Sequence, residues 1–272
     1  MKTYLSVGIG DMMRVDAFLT QEERDNISEI YWACRFGKHM SPLFDNNKYY
    51  PNLIKHYFID DEVGRREMSK FECHAVDFWH FRPDFQANFN NGLQLFGLDR
   101  SDLFIIDAFA IFNDANRQLN NSSFLECAKD LPPLYNNYIL VHYPTSTRPR
   151  SDIAKMEEND WNFIRNFSKE KNLQIVIVTD SEINTEAGGM IVLHNPDIRI
   201  IPQLCVHASY YMGCDSFISI LCSKILESEQ IFIKSHQDNI NNFVNANWAW
   251  RGYYAPHSAE SICKFYRNYI GY

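Results

Sequence analysis

Short apolar runs alternate with longer amphipathic segments along the second half of the chain. Continuous apolar runs of this length predict strands that are buried on both faces of a parallel sheet. The segments between them place apolar residues at helical spacing and predict helices. The predicted strands are NYILVHY, LQIVIVTD, GMIVLH, SYYMGC and EQIFIKS, and the predicted helices are EENDWNFIRNFSKEKN, IIPQLCVHAS and SFISILCSKILES. The pattern therefore predicts an α/β domain in this half of the chain.

The first half follows the same pattern less clearly. TYLSVGI, EIYWACR, IKHYFID and SDLFIIDAF predict strands, and MRVDAFLTQEERDN and GKHMSPLFDNNK predict helix or loop. The polar, proline-bearing stretch 120–137 indicates a linker. We therefore predict an α/β fold with two Rossmann-like α/β/α domains facing each other across a cleft. Their bounds are 1–133 and 134–255, with a C-terminal helix over 256–272 that packs back on the first domain.

Composition narrows the class of protein. The chain has 272 residues, 46% hydrophobic and 22% charged, which is typical of a globular protein. No apolar stretch reaches the length of about 18 residues that a membrane span requires, and the N-terminus lacks a signal peptide's cleavage pattern. Seven cysteines without a CxxC pair indicate reduced thiols. We expect a soluble cytoplasmic protein with no more than peripheral membrane association, and the sequence does not indicate its oligomeric state.

The stretch LSVGIGDMM near the N-terminus predicts a strand, a glycine turn and a helix from about Asp11. Such a turn presents backbone N–H groups to an anion. The dinucleotide-binding pattern GxGxxG would need glycine where the chain has Met13, so we expect no nicotinamide or flavin cofactor. The net charge of −8 also argues against a nucleic-acid partner. Asp11 itself suits an N-cap as well as a site.

Two further strand ends carry polar residues suited to a phosphate ligand. YILVHYPTSTRPR ends a strand and continues with Thr145, Ser146, Thr147, Arg148 and Arg150. Arginine binds phosphate oxygens bidentately, and ligands of open α/β sheets bind at this edge. SYYMGCDSFISIL likewise leads from a strand into a helix that starts near Asp215 and Ser216. Alternatively, the first stretch is a solvated loop and Asp215 is a helix cap.

In order and spacing, these three stretches resemble those of bacterial heptosyltransferases and related sugar transferases of the GT-B fold. The resemblance implies a two-domain GT-B architecture and a metal-independent glycosyltransferase that inverts at the transferred sugar. It implies a nucleotide-sugar donor and a glycan or another hydroxyl acceptor as partners, and no cofactor. Asp11 inherits the role of general base from this family. The implied donor-binding residues are Gly10, Thr145, Ser146, Thr147, Arg148, Arg150, Asp180, Glu182, Asp215, Ser216 and Phe217.

Two positions depart from the family pattern. The family often has glycine after the hydroxyl residue and histidine three residues later, where this chain has Phe217 and Ile220. These departures point to different donor contacts or to a donor other than ADP-heptose. Two alternatives to transfer stay open: a nucleotide-sugar-binding protein without turnover, and an epimerase or phosphatase that acts on sugar phosphates.

Outside these three stretches, two clusters of residues each allow a functional and a structural interpretation. His74, Asp77 and His80 share one stripe of a predicted helix, where they would bind a metal or simply pack. The aromatic stretch 243–257 would line an acceptor site or pack the C-terminal helix onto the first domain, and we favour packing for both clusters.

Overall fold

The computed structural model describes 13 separate segments of the chain, which are residues 2–5, 13, 16, 19–32, 41–51, 53–57, 94, 97–99, 122–143, 156–180, 189–214, 216–234 and 243–245. The chain divides into two compact units, with the division between Cys127 and Ala128. The predicted domain bounds and the C-terminal helix over 256–272 stay predictions, since 246–272 lies outside the described residues.

The first unit contains a parallel three-stranded sheet. Strands β1 (Lys2–Leu5), β2 (Glu29–Trp32) and β3 (Ile54–Tyr57) lie side by side in chain order. Helix α1 (Gln21–Asn26) precedes β2, and its start is fixed by a capping box in which Thr20 and Glu23 satisfy each other's backbone N–H groups. A 3₁₀ turn over Ser41–Phe44 precedes β3. The predicted strands near residues 3, 29 and 54 are confirmed, and the fourth, 101–109, lies outside the described residues.

A buried carboxylate organises the polar interior of the first unit. Asp16 is 0% exposed and forms an ion pair with the buried Arg24, with 3.4 Å between Oδ1 and Nε. Its oxygens also accept hydrogen bonds from the Tyr50 hydroxyl at 2.7 Å, the Ser122 hydroxyl at 3.0 Å and the Ser123 backbone N–H at 2.7 Å. Asp16 therefore joins residues more than a hundred positions apart.

The Ser123 contact brings Asp16 to the start of helix α2 (Ser123–Lys129). The helix is anchored by Phe124 and Leu125, which are both buried. The stretch 120–137, which was predicted as a linker, thus contains a helix, and the division between the two units falls within it. Ser122 and Ser123 lie at the helix start, and their hydroxyls donate to the distant Asp16 carboxylate.

The second unit contains a six-stranded sheet in the order β6-β5-β4-β7-β8-β9. Its strands are β4 (Tyr138–Tyr143), β5 (Gln174–Thr179), β6 (Met190–His194), β7 (Tyr210–Gly213), β8 (Ile231–Lys234) and β9 (Phe243–Asn245). All neighbouring pairs are parallel except β8 and β9. Counted within this unit, the order is 3-2-1-4-5-6, the doubly wound order of dinucleotide-binding folds. The five predicted strands and the predicted α/β class are confirmed.

Three helices cover the two faces of this sheet. Helix α3 (Glu158–Lys171) packs through Ile164 on the face formed by Ile139, Val141, Ile175, Ile177 and Met212. Helices α4 (Ile201–His207) and α5 (Phe217–Cys222) follow later in the chain. The buried hydroxyl of Tyr138, which alternates in β4 with the α3-facing residues, donates to the Leu204 carbonyl of α4 at 2.6 Å. Helix α4 therefore lies on the opposite face, as a doubly wound sheet requires.

Two of the predicted helices have nearly the predicted bounds, and one is shorter. The helix predicted over 216–228 ends at Cys222, and Ser223, Lys224 and Ile225 form turns. The hydroxyl of Ser223 donates to the Ile220 carbonyl at 2.7 Å, and this local bond competes with helix continuation. None of the described helices is long and apolar enough to span a bilayer.

An ion pair buried in the second unit joins the end of β8 to the start of α3. The ammonium of Lys234 donates to the Asp160 carboxylate, and the two residues are 3% and 2% exposed. Asp160 also accepts the Glu157 backbone N–H at 2.7 Å, which closes a capping box at the helix start. The pair therefore fixes where α3 begins relative to the carboxyl end of β8.

Candidate functional site

The candidate site lies at the carboxyl ends of β4 and β7, within the second unit. The sheet order reverses between these two strands, because β5 lies on one side of β4 and β7 lies on the other. In open α/β sheets, ligands bind in the crevice at such a topological switch point. His142 and Gly213 are register partners there, one residue before and at the end of their strands.

Gly213 allows the two strands to approach closely at this point. A Cβ atom at Gly213 would lie 2.7 Å from the His142 carbonyl oxygen and 2.9 Å from the Tyr211 hydroxyl. The Tyr211 hydroxyl donates to the Cys214 carbonyl at 2.7 Å and so holds the chain as it leaves β7. A side chain at position 213 would have to displace the backbone of β4, and this explains why the chain has glycine there.

Ser216 begins α5 and caps it. Its Oγ accepts the backbone N–H groups of Ile218 at 3.2 Å and Ser219 at 3.5 Å. The Ser219 hydroxyl oxygen in turn accepts the Ser216 N–H at 2.9 Å, which completes the capping box. The predicted helix start at this position is confirmed, with Ser216 as the N-cap residue. A ligand can use the capped amides only if it displaces the Ser216 hydroxyl.

His142 connects the end of β4 to this helix start. Its Nδ1 lies 2.8 Å from the Ser216 Oγ and 3.6 Å from the Cys214 Sγ. Desolvation lowers the pKa of His142 from 6.5 to about 4, and the negative charge of Asp180 opposes this shift. The imidazole is therefore neutral near pH 7.

The serine and histidine pair does not suit nucleophilic catalysis. Two backbone N–H groups already bind the Ser216 oxygen, and these bonds reduce its nucleophilicity. His142, with its pKa lowered to about 4, is also a weak base. The pair instead suits the positioning of a ligand beside a neutral imidazole.

The structure places three of the predicted site residues. Asp180 directly follows β5 and is exposed, Ser216 caps α5, and Phe217 is the first residue of α5 and is partly exposed. Asp180 and Ser216 both lie at the switch-point edge, since each follows the carboxyl end of its strand. The other predicted site residues lie outside the described residues: Gly10, Asp11, Thr145, Ser146, Thr147, Arg148, Arg150, Glu182 and Asp215.

His142 was not predicted from the sequence as a site residue. The signal that was available is a polar residue on an otherwise apolar strand, one position before the strand ends. Its contact with Ser216 spans 74 residues and could not be read from local pattern. Asp16, the nearest aspartate to Asp11 in the chain, is not accessible for a role as a general base. Its burial and its several hydrogen bonds give it a structural role instead.

The metal cluster suggested by His74, Asp77 and His80 lies outside the described residues, as does most of the aromatic stretch 243–257. Within the part of the chain that the structure describes, no group of three potential metal ligands comes together. The cysteines described, Cys127, Cys205, Cys214 and Cys222, are free thiols.

Comparisons with known proteins give similarity in structure only. No family model and no curated protein matches the chain. Among solved structures, the chain is similar to E. coli heptosyltransferase WaaC with ADP, at 10% identity and a TM-score of 0.46, over 100% of this chain and 98% of that chain. It is also similar to the iron-containing dodecameric glycosyltransferase TibC from enterotoxigenic E. coli, at 13% identity and a TM-score of 0.41, over 81% of this chain and 54% of that chain.

A third similar structure is UDP-GlcNAc 2-epimerase from Neisseria meningitidis bound to UDP-GlcNAc, at 10% identity and a TM-score of 0.40, over 100% of this chain and 92% of that chain. Heptosyltransferases, which the sequence resembles, are thus among the structural neighbours of this chain. At these identities and TM-scores, the similarity does not bear on the activity or the ligand of the chain.

Proposed function

We propose that the protein is a cytoplasmic glycosyltransferase that moves a sugar from a nucleotide-sugar donor to a hydroxyl group of a glycan or another acceptor. The observation that carries this proposal is the switch point between β4 and β7 in a sheet of order 3-2-1-4-5-6. Such a switch point is where doubly wound sheets bind nucleotides. The donor would therefore bind at the carboxyl edge of the second unit.

The sequence supplies charge for the donor's diphosphate directly after β4. Thr145, Ser146 and Thr147 begin two residues beyond the strand end at Tyr143, and Arg148 and Arg150 follow. Their hydroxyl and guanidinium groups would bind the diphosphate and stabilise the charge that develops as it leaves. This clamp needs no metal ion, and replacement of either arginine with alanine should weaken binding of nucleoside diphosphates.

Asp11 is the proposed general base. Transfer requires removal of a proton from the acceptor hydroxyl, and a carboxylate can accept this proton. Direct attack by the activated hydroxyl on the donor sugar would invert the configuration at the transferred carbon. The remaining predicted donor contacts, Gly10, Asp180, Glu182, Asp215, Ser216 and Phe217, would position the nucleotide.

The test of this function is turnover of nucleotide sugars. The protein should be incubated with ADP-, UDP-, GDP- and CDP-linked sugars, and the products should be separated by chromatography. A transferase slowly hydrolyses one donor and releases its nucleoside diphosphate. An epimerase leaves the nucleotide sugar intact but changes the sugar, and a binding protein changes nothing. Intact donors in every reaction would contradict the proposal.

Asp11→Asn provides the matched control for catalysis. Asparagine keeps the size of aspartate and its capacity to cap a helix, but it cannot accept a proton. We expect at least a roughly 10²-fold loss of turnover, the lower end for general acid and base catalysis, with unchanged donor affinity. Turnover near the parent rate would show that Asp11 is a helix cap.

A further inference from the structure

The hydrogen bonds around His142 determine which of its ring nitrogens carries the hydrogen. The Ser216 oxygen accepts two backbone N–H groups, from Ile218 and Ser219, and these occupy its two lone pairs. The hydrogen of the Ser216 hydroxyl therefore points to the remaining close neighbour of the oxygen, which is the His142 Nδ1 at 2.8 Å. Nδ1 must then be the acceptor in this bond.

The second neighbour of Nδ1 supports the same assignment. The Cys214 thiol, which is also a donor, lies 3.6 Å from Nδ1. A neutral imidazole that accepts at Nδ1 carries its hydrogen on Nε2. Ser216 and Cys214 therefore hold His142 as the Nε2–H tautomer, and Nε2 lies on the opposite side of the ring from the serine.

A carboxylate lies near the same imidazole. His142 pairs with Val178 of β5 in the strand register, and Asp180 follows Val178 by two residues, directly after the end of β5. The charge of Asp180 acts on His142. This edge thus combines a neutral donor, Nε2–H, with a negatively charged acceptor, the Asp180 carboxylate. A hydroxyl group can donate to one and accept from the other, whereas a phosphate would be repelled by the carboxylate.

We propose that His142 contacts the bound nucleotide, and that it donates a hydrogen bond from Nε2 to an uncharged oxygen of the nucleoside or sugar rather than to a phosphate. This inference rests on the proposed function, because it needs a nucleotide at the switch point. His142 is in this account a ligand-contacting residue that sets specificity. The Ser216 hydroxyl and the Cys214 thiol are positioning groups with respect to this contact, because they fix the tautomer of the His142 ring.

Two substitutions test the roles of the two ring nitrogens of His142 separately. In His142→Asn, the side-chain oxygen can take the place of Nδ1 and accept from Ser216, but the donor at the position of Nε2 is lost. In His142→Gln, the longer side chain can restore a donor near Nε2 but loses the Nδ1 acceptor. Binding of ADP, UDP, GDP and CDP by calorimetry, and melting temperature, should be measured for the parent and both variants.

We expect His142→Asn to melt near the parent temperature and to bind the preferred nucleoside diphosphate about 3- to 10-fold more weakly, the range for loss of one neutral hydrogen bond. His142→Gln should show the reverse, with affinity within about 2-fold of the parent and a lower melting temperature. The loss in His142→Asn should be the same for the matching nucleoside without phosphates. A loss confined to the diphosphate would overturn the assignment of an uncharged oxygen.

Nitrogen NMR of the imidazole gives a readout that does not depend on turnover. The parent protein should show a protonated Nε2 and an unprotonated Nδ1 near pH 7, and Ser216→Ala should reduce this preference. A protonated Nδ1 in the parent would refute the tautomer. A parent protein that binds no nucleotide refutes both the proposed function and this contact. Normal binding by the parent that is unchanged in His142→Asn refutes this inference alone.

Discussion

The buried ion pair between Lys234 and Asp160 gives the sharpest stability prediction. Lys234→Met keeps an unbranched side chain of similar length but removes the ammonium group. The Asp160 carboxylate, which is 2% exposed, would then keep the Glu157 N–H at 2.7 Å as a partner but lose its counter-charge. Removal of one member of a buried pair costs about 3–5 kcal/mol.

This cost is large against the free energy of unfolding of a typical domain, about 5–15 kcal/mol. We therefore expect Lys234→Met to lose a substantial part of the stability of the second unit. The double variant Lys234→Met with Asp160→Asn removes both charges of this pair, and the asparagine oxygen can still accept the Glu157 N–H. Its stability should lie within about 1 kcal/mol of the parent, since neutral replacements of buried pairs are often tolerated.

Urea unfolding of the parent, the two single variants and the double variant measures the coupling energy between Lys234 and Asp160. Hydrogen exchange of peptides from α3 and β8 assigns the loss to the second unit. The expected coupling energy is at least about 2 kcal/mol. If each single variant costs less than about 1 kcal/mol and the costs add in the double variant, the pair does not hold α3 to β8 and the reasoning fails.

Three further predictions concern other buried groups. Asp16→Asn removes the carboxylate charge beside the buried Arg24 and should destabilise the first unit by about 3–5 kcal/mol in urea unfolding; a cost below about 1 kcal/mol would contradict the structural role. Gly213→Ala should cost about 1–3 kcal/mol by overpacking against β4, and unchanged stability would refute the close approach. Because the pKa of His142 falls from 6.5 to about 4 on folding, its contribution to stability is complete above pH 6.5 and is lost as the pH falls towards 4. The acid-induced loss of stability should thus be smaller in His142→Asn, and an equal loss in the parent would contradict the shift.

The sheet of the second unit could be predicted because its strands carry their own signal. Segments such as QIVIVT in β5 are apolar throughout, and a parallel sheet buries both faces of its inner strands. The order of those strands could not be read from the runs alone. It depends on which faces the crossover helices cover, and only the strand pairing shows that β4 lies between β5 and β7.

The local sequence pattern could not predict the partners of polar residues that bond to distant parts of the chain. Ser122 and Ser123 lie in the stretch predicted as a linker, and their hydroxyls and the Ser123 N–H donate to Asp16. Lys234 is a charged residue in an otherwise apolar predicted strand, and the structure pairs its ammonium group with the Asp160 carboxylate. In each case the stabilising partner lies more than seventy residues away in the sequence. Ser216 was predicted correctly as a helix start because a cap bonds within its own helix.

The central claim is that a nucleotide binds at the switch-point edge of the second unit. Hydrogen exchange of the protein, with and without a saturating nucleoside diphosphate, tests it most directly. We predict that the nucleotide slows exchange in peptides that cover the carboxyl end of β4 and the turn from β7 into α5, and that exchange at the amino ends of the same strands stays unchanged. Slower exchange confined to the amino ends of the strands, or none in the second unit for any nucleotide, would contradict it.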